Sequence, residues 1–436
     1  MTGFSIDSRK LKSGEFFVAI LGDSFDGHWF LDEAYKAGAV GAMIQPDIII
    51  FELPILPDDF AIIQVPSTLA AIQKMAAIHR NAMQLPVVGV TGSNGKTSAK
   101  ELVAAVLGEK FSVQKTKGNL NNHIGVPLSL LALESSHQVG VFELGMNHQG
   151  EIAPLAKMIA PRVGIITNIG TAHIEYLGSK EKIAEEKGAL AEALPADGCL
   201  ILDAEDTFCQ ALSARTSAKK ITIGFDRGDV QAKNISSTFE VSEFQLEYNG
   251  QSVAVKVPIP GVHMVRNALL GAAAGIAFEM SLEQIAAGIA KAQLPGGRMK
   301  IRDVHGVTIL DDTYNANPES MQAALAVLGS APLKPGGRRV AILGMMGELG
   351  EHLEAGYAQV AEAAKAAGVN LLVAVGETSA SLAKAGNKAK IEKIQSCSTR
   401  EEAVEFLKGE IAPEDVLLLK GSRASRMELI IEGLQE

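Results

Sequence analysis

The stretch VVGVTGSNGKT, residues 87–97, decides the fold class of this chain. Residues 87–90 are apolar or glycine and have the composition of a buried strand, which a glycine-rich turn follows directly. From about Thr97 onward, apolar side chains recur at helical spacing over residues 102–107, and Gly108 marks the end of the predicted helix. A buried strand, a glycine turn and a helix in this order are typical of α/β proteins with a parallel sheet.

The turn itself predicts a phosphate-binding loop. Its glycines allow backbone N–H groups to approach a phosphate, and the helix N-terminus adds positive potential. The strict pattern GxxxxGK[ST] is not met, because Val90 stands at the position of the first glycine, and an ordinary glycine-rich turn is the alternative. We nevertheless expect a nucleoside triphosphate to bind here, with Lys96 as a point charge and the Thr97 hydroxyl as a Mg²⁺ ligand. The loop residues are Gly92, Ser93, Asn94, Gly95, Lys96 and Thr97.

The composition excludes several classes of protein. With 436 residues, of which 47% are hydrophobic, the chain is long enough for about three domains with sizeable cores. The 40 basic and 50 acidic residues give a net charge of -10, which argues against nucleic acid or an anionic membrane as a partner. Cys199, Cys209 and Cys397 form no CxxC pair, so a disulfide framework or a zinc site is not expected. Because neither a signal core nor an apolar run of membrane-spanning length occurs, we expect a cytoplasmic protein without membrane insertion.

Three domains of α/β type are predicted. The first boundary lies near residues 84–86, where a small N-terminal α/β unit ends, and the second at residues 294–298, where proline and two glycines interrupt an Ala-rich helical stretch. Residues 1–84 form a small α/β domain, 85–296 a central domain with a parallel sheet and the phosphate loop, and 297–436 a third domain. The third domain is expected to be Rossmann-like, although it lacks a GxGxxG fingerprint. Its predicted strands are 308–310, 340–343, 371–375 and 416–419, and its predicted helices include 351–367 and 399–407.

Two polar residues follow predicted strands of the central sheet. Glu143 ends the strand at 139–142, and His173 follows the strand at 163–167. Ligands for a nucleotide and its metal gather at such strand ends in parallel sheets. Taken singly, a solvated glutamate and a satisfied loop histidine are the alternatives.

Four segments together resemble the Mur ligase family, and within it the members that add a dipeptide rather than one amino acid. The resemblance runs from Asp7-Ser8-Arg9 to Lys420-Gly421-Ser422-Arg423, nearly the whole chain. The segments are TGSNGKT at 91–97, GNLNN at 118–122, ELGMNHQGE at 143–151 and DDTYNANP at 311–318.

The resemblance implies an ATP-dependent amide ligase of peptidoglycan precursor synthesis. In that family the carboxylate of UDP-N-acetylmuramoyl-tripeptide attacks the γ-phosphate of ATP, and the amine of D-Ala-D-Ala then displaces phosphate through a tetrahedral intermediate. Mg²⁺ is implied with ATP. Thr97 and Glu143 match the ligands of one ion, and His173 and Lys187 those of a second, with Lys187 carried as a carbamate. From the residues alone, Lys187 is instead interpreted as a solvated helix lysine.

Further positions match nucleotide contacts of the family. Asn267 matches an adenine contact, with a helix-start cap as its alternative interpretation. Arg298 and Asp312 match positions from which the third domain reaches phosphate and ribose, against the alternatives of a linker arginine and a turn former. Tyr314 and Asn315 are expected near the incoming amine, and no general base is identified.

Two further sites are implied for the substrates. In the first domain, five residues resemble the family's site for the uridine and diphosphate of the UDP-sugar: Ser8, Arg9, Asp26, Gly27 and His28. Asn119, Asn121 and Asn122 resemble the extension of that site into the central domain. A carboxylate of the dipeptide is expected at Lys420, Ser422 and Arg423, because an arginine fork and a hydroxyl match its geometry. In the segment 343–349, Met345 occupies a position where the family often has an acidic residue.

Two alternatives stay open beside a dipeptide ligase acting as a monomer. One is another enzyme of the superfamily, such as a folylpolyglutamate synthase or a ligase that adds a single amino acid. The other is a nucleotide-operated switch without an acyl acceptor. Release of ADP that depends on an amine acceptor would exclude the switch.

Overall fold

The computed structural model describes residues 2–22, 25–48, 57 and 60–436. These residues form three sheets with flanking helices, so the prediction of an α/β protein with three domains is confirmed. None of the described helices combines the length and the apolar composition that crossing a membrane requires.

The first domain contains a small parallel sheet with the strand order β1-β2-β3-β4. Its strands and helices are β1 (Phe4–Ser5), β2 (Phe16–Val18), α1 (Leu31–Lys36), β3 (Gly41–Ile44), β4 (Ala61–Gln64) and α2 (Thr68–Met83). The Ser67 side chain caps α2 by accepting a hydrogen bond from the Ala70 N–H. Helix α2 ends at Gln84, which has a left-handed backbone with φ of 48°.

The central domain is built on a long sheet with the order β13-β12-β11-β10-β9-β8-β5-β7-β6. Its strands are β5 (Val87–Thr91), β6 (Val113–Lys115), β7 (Val139–Glu143), β8 (Val163–Ile166), β9 (Cys199–Asp203), β10 (Lys219–Gly224), β11 (Val230–Ser237), β12 (Ser242–Tyr248) and β13 (Gln251–Val257). Its helices are α3 (Lys96–Leu107), α4 (Gly125–Leu131), α5 (Ile152–Ile159), α6 (Ile174–Leu177), α7 (Lys180–Glu192), α8 (Cys209–Ser213), α9 (Val262–Ala277) and α10 (Leu282–Ala290).

The central sheet places the site through its strand order. Strand β5, which leads into the phosphate loop, is fully buried and pairs in parallel with β7 on one side and β8 on the other. The ends of β7 and β8 therefore lie on either side of the loop. This arrangement brings Glu143, at the end of β7, and the segment after β8 to the same edge.

Strands β11 to β13 are antiparallel, which the sequence analysis did not predict. The signal was present, because buried and exposed residues alternate in β12 and an Asn-Gly pair at 249–250 joins β12 to β13. Asn249 and Gly250 have φ of 50° and 74°, as a tight hairpin turn requires.

The third domain has a six-stranded sheet with the order β14-β15-β19-β16-β17-β18, parallel except for β14 against β15. Its strands are β14 (Lys300–Val304), β15 (Val307–Asp312), β16 (Arg339–Leu343), β17 (Leu371–Val375), β18 (Lys393–Cys397) and β19 (Val416–Lys420). Its helices are α11 (Pro318–Gly329), α12 (Leu353–Ala366), α13 (Ser379–Lys388), α14 (Arg400–Glu410) and α15 (Glu428–Gln435). Strand β15 is longer than predicted and includes Asp312, which pairs in register with Lys420 of β19.

Candidate active site

The phosphate loop joins β5 to α3, and two of its glycines are required by space as well as by backbone conformation. Gly92 and Gly95 have φ of 148° and 78°. A Cβ atom at Gly92 would lie 1.9 Å from Thr167 Oγ1, and one at Gly95 would lie 2.6 Å from Asn267 Oδ1. Any other residue at either position would displace these neighbours.

The segment after β8 braces the loop through hydrogen bonds. The Ser93 N–H donates to the Asn168 carbonyl (2.9 Å), and the Asn94 N–H donates to Asn168 Oδ1 (3.0 Å). Thr167 Oγ1 donates to the Asn94 carbonyl at 2.5 Å. Because these bonds are made within the protein, the loop is held in place before any ligand arrives.

Lys96 is half-buried within the loop. Its Nζ donates to the carbonyl oxygens of Gly92 (2.8 Å) and Ser93 (3.2 Å). Burial lowers the pKa of Lys96, the Glu143 charge opposes this change, and the Arg298 charge adds to it.

Thr97 and Glu143 form a buried oxygen pair at the start of α3. Thr97 Oγ1 donates to Glu143 Oε2 at 2.8 Å, and Asn121 Nδ2 donates to Glu143 Oε1 at 2.8 Å. From the third domain, Arg298 Nη2 donates to Thr97 Oγ1 at 3.1 Å. The Arg298 guanidinium also stacks on the Tyr314 ring, 3.6 Å from its centroid. Arg298 is therefore more than a linker arginine, since it contacts the phosphate-loop helix.

His173 lies between the central and third domains. It has a left-handed backbone, with φ of 66°, and precedes helix α6. Its Nδ1 lies 2.5 Å from Glu348 Oε2, a close polar contact between the two domains. Glu348 was missed by the sequence analysis, which considered an acidic residue only at Met345. Hydrogen bonding to His173 lowers the pKa of Glu348, against the effect of burial.

Lys187 is 1% exposed, so its interpretation as a solvated helix lysine is wrong. It lies on the inner face of α7, and among the described residues no carboxylate lies within 4 Å of its Nζ. Burial, reinforced by the Lys96 charge and only partly opposed by the Glu186 charge, lowers the pKa of Lys187 well below its ordinary value.

Asn267 and Asp312 are both buried, with 6% and 8% of their surfaces exposed. Asn267 lies inside α9, whose N-cap is Gly261, so the helix-start cap interpretation is wrong. Asp312 Oδ1 accepts a hydrogen bond from the Met299 N–H at 3.2 Å, and its Oδ2 lies 2.5 Å from Lys420 Nζ. Asp312 is thus the end of a strand rather than a turn former.

The residues expected at the dipeptide have separate partners in this structure. Lys420 is 3% exposed and donates to the carbonyl of Asn315 (2.9 Å) as well as to Asp312. The Ser422 hydroxyl is hydrogen-bonded to that of Ser425, and Arg423 is exposed and pairs with Glu428 (2.8 Å).

The predicted first-domain residues range from exposed to fully buried. Arg9 pairs with Asp7 at 2.8 Å and its side chain is 86% exposed. His28 is fully buried. Its Nε2 accepts a hydrogen bond from the Gln45 N–H (2.9 Å), so Nδ1 carries the proton and donates to Asp26 (2.5 Å). Both ring nitrogens of His28 are therefore used inside the protein.

The other residues predicted for the UDP-sugar site differ in burial and in their contacts. Ser8 is half-buried, and Gly27 is buried so closely that a Cβ atom would lie 2.7 Å from the Ile20 nitrogen. Asn119 is exposed, whereas Asn122 Oδ1 accepts a hydrogen bond from the Gly125 N–H (2.9 Å) at the start of α4.

Comparisons with known proteins fit this arrangement. Residues 1–106 match the model of the Mur ligase family catalytic domain, residues 90–275 that of the Mur ligase middle domain, and residues 297–423 that of the Mur ligase glutamate ligase domain. The chain belongs to the Mur ligase family. Its phosphate loop, Glu143 and His173 all lie within the match to the middle domain.

Relatives cover the full length of this Mur ligase. It is 37% identical to the UDP-N-acetylmuramoyl-tripeptide--D-alanyl-D-alanine ligase of Escherichia coli, over 99% of this chain and 93% of the relative. The protein of the same name from Bacillus subtilis is 33% identical over 100% of this chain and 93% of its own length. Among solved structures, MurF from Acinetobacter baumannii superposes with a TM-score of 0.87 at 33% identity, over 99% of this chain and 93% of that one. MurF from Thermotoga maritima in complex with ADP superposes with a TM-score of 0.83 at 28% identity, over 99% and 97% of the two chains.

Proposed function

We propose that this chain is an ATP-dependent, ADP-forming ligase that joins D-Ala-D-Ala to UDP-N-acetylmuramoyl-tripeptide, completing the peptidoglycan precursor. The observation that carries the proposal is the full-length similarity to ligases of that name, 37% in the Escherichia coli case. The convergence of the phosphate loop, Glu143 and His173 at one sheet edge supports it independently.

The loop explains how the chain activates a carboxylate. The tripeptide carboxylate attacks the γ-phosphate of ATP, ADP leaves, and the dipeptide amine then displaces phosphate from the acyl phosphate. Backbone N–H groups at the start of α3 bind the phosphates, and Lys96 stabilises charge on the transferred phosphoryl group. We assign the adenine contact to Asn267, which lies next to Gly95, and contacts from the third domain to the nucleotide to Arg298, which donates to Thr97, and to Asp312.

The residues present fit Mg²⁺. The Thr97 hydroxyl and the Glu143 carboxylate are hard oxygen ligands 2.8 Å apart, and His173 and Lys187 are proposed for a second ion. Among the described residues no three His, Cys, Asp or Glu side chains cluster as a cation site, which suits an ion that takes few protein ligands and completes its shell with phosphate and water. When bound, Mg²⁺ neutralises charge on the phosphates.

Lys187 is proposed to carry a carbamate. Only a neutral amine attacks CO2, and burial without a carboxylate partner favours the neutral form. The amine nitrogen bonds to the carbon of CO2, one N–H proton leaves, and an anionic oxygen ligand results.

In this proposal each domain binds a different substrate. Residues 1–84 bind the UDP-sugar through Ser8, Arg9, Asp26 and Gly27, where His28 holds Asp26, and Asn119, Asn121 and Asn122 extend the site into residues 85–296. Residues 297–436 bind the dipeptide, with Tyr314 and Asn315 near its amine and Lys420, Ser422 and Arg423 at its carboxylate. The proposal places the ligase in the cytoplasm as a monomer, and its three free cysteines suit a reducing compartment.

Mass spectrometry of the products tests the proposal. Purified protein is incubated with ATP, Mg²⁺, UDP-N-acetylmuramoyl-tripeptides containing lysine or diaminopimelate, and a panel of D,D-dipeptides. We expect one of the tripeptides to gain D-Ala-D-Ala with release of one ADP. Transfer of glutamate to a folate instead would support the folylpolyglutamate synthase alternative. ADP release independent of any amine would support the switch.

A further inference from the structure

The start of helix α11 contacts both loops that meet at the nucleotide edge of the central sheet. Asn317, the N-cap of α11, donates from Nδ2 to Asn94 Oδ1 of the phosphate loop at 2.6 Å. Two residues later, Glu319 accepts two hydrogen bonds from Thr171, at 2.9 Å from its backbone N–H and at 2.7 Å from its hydroxyl. One turn of the third domain therefore contacts both loops.

The segment that Glu319 contacts is the one that leads to His173. On its inner side, the Gly170 N–H donates to Ser93 Oγ of the phosphate loop at 2.8 Å. On its outer side, Glu319 Oε1 lies against Gly170, where a Cβ atom would be only 3.2 Å away. The segment is thus held between the phosphate loop and α11. Thr171, the residue that bonds to Glu319, is two positions before His173 and its left-handed backbone.

We propose that Glu319 is a positioning residue of the ligase. Its carboxylate fixes Thr171 and through it the direction of His173, so that docking of the third domain completes the site. This inference rests on the proposed function, because it gives His173 a role in the reaction. The contact to Lys180, at 4.0 Å and with 45% of that lysine side chain exposed, is too weak to be the reason for a carboxylate here.

The choice of substitutions separates hydrogen bonding from charge. In Glu319→Gln the side-chain carbonyl accepts from the Thr171 N–H and the amide donates to the Thr171 hydroxyl, so both contacts persist without the charge. Glu319→Ala loses both contacts, and Thr171→Val loses only the one made by the hydroxyl. None of these residues touches substrate in the proposed mechanism.

The test combines steady-state kinetics with hydrogen exchange on the full-length enzyme. We expect Glu319→Ala to lower kcat about tenfold or more, as misplacement of a reacting group does, while the KM for the UDP-tripeptide is unchanged. Exchange should rise in the peptide containing residues 168–177, because the Thr171 amide loses its acceptor, and not in the rest of the central domain. Glu319→Gln should resemble wild type in both measurements, and adding Thr171→Val to Glu319→Ala should cause little further loss.

The results that would contradict the positioning role differ from those that would contradict the proposed function. Wild-type kcat in Glu319→Ala would overturn the positioning role, and so would a Glu319→Gln enzyme as impaired as Glu319→Ala. Exchange that rises throughout the third domain would show a general loss of structure, and Thr171→Val, a nearly isosteric change, must then lower kcat for the proposal to stand. A wild-type enzyme that forms no product would overturn the proposed function instead, whatever the exchange pattern.

Discussion

Lys100 and Lys187 are both buried in the central domain, with 0% and 1% of their surfaces exposed, yet their surroundings are opposite. Lys100 Nζ is 2.7 Å from Glu101 Oε1 and donates to the Thr116 carbonyl at 2.8 Å. Among the described residues, no carboxylate lies within 4 Å of Lys187 Nζ, and the nearby Lys96 charge lowers the pKa of Lys187. The neighbouring carboxylate of Glu186 instead accepts from the Gly150 and Ile152 N–H groups, both at 2.7 Å.

In the proposed mechanism, pairing rather than burial separates a structural lysine from one that forms a carbamate. A buried ammonium with two oxygen partners recovers much of the hydration it loses, whereas one without partners favours the neutral amine. A carbamate forms only from the neutral amine.

Lys96→Ala should have the largest effect. Loss of a positioned charge beside a transferring phosphoryl group should reduce kcat by about 10² to 10³ or more. Affinity for the UDP-tripeptide, measured by calorimetry without ATP, should stay within a few-fold of wild type, since its main contacts are assigned to the first domain. A large loss of that affinity would contradict the placement of the sugar-nucleotide site.

Lys187→Ala should lose about two orders of magnitude in activity, because the carbamate oxygen is removed from the site. Formate or acetate should restore part of it by supplying that oxygen in the space left by the side chain, while wild type does not respond. Activity assays across a carboxylate concentration series measure this. An active variant that ignores carboxylate would exclude the carbamate and leave Lys187 as a buried amine without function.

Lys100→Met and Lys187→Met should change stability in different ways. Lys100→Met leaves the Thr116 carbonyl and one oxygen of Glu101 without their partner, so we expect a loss of about 2 to 3 kcal/mol in the free energy of unfolding. Lys187→Met replaces an unpaired amine by an apolar side chain of similar size and should be neutral or stabilising. Denaturant unfolding measures both. Lys115→Met, which removes the half-exposed partner of Glu101, is the control and should cost under about 1 kcal/mol.

Equal losses of stability in the two methionine variants would contradict the comparison. Lys100 lies outside the proposed machinery, so the folded Lys100→Met enzyme should keep ligase activity near that of wild type.

Glu205 extends the comparison to a paired carboxylate. Burial raises its pKa, but hydrogen bonds from the Asp226 N–H, Arg266 and the Phe225 N–H outweigh that effect and lower the pKa to about 2. Since the unfolded value is near 4.5, the stabilisation is complete above that pH and is lost as the pH falls toward 2. The difference in unfolding free energy between wild type and Glu205→Gln should shrink by about 1 to 2 kcal/mol from pH 7 to pH 3. A difference that does not vary with pH would contradict the pairing with Arg266.

Parts of the site were predictable because their signals are local. The strand, glycine turn and helix around residues 87–107 were read correctly, and the strand order then placed Glu143 and the segment after β8 beside the loop. Glu319 and Glu348 were missed for a physical reason. They are 148 and 175 positions from the residues they contact, Thr171 and His173, and no periodicity links positions so far apart.

The α/β class, the phosphate loop and the resemblance to Mur ligases follow from the amino-acid sequence alone, because strand, turn and helix propensities act between neighbours along the chain. Three features required the folded structure: which buried lysine is paired, that both ring nitrogens of His28 are used internally, and that Glu348 rather than position 345 faces His173. A pKa and a hydrogen-bond partner depend on distances through space. Those distances exist only once the sheets are assembled and the third domain is docked on the central one.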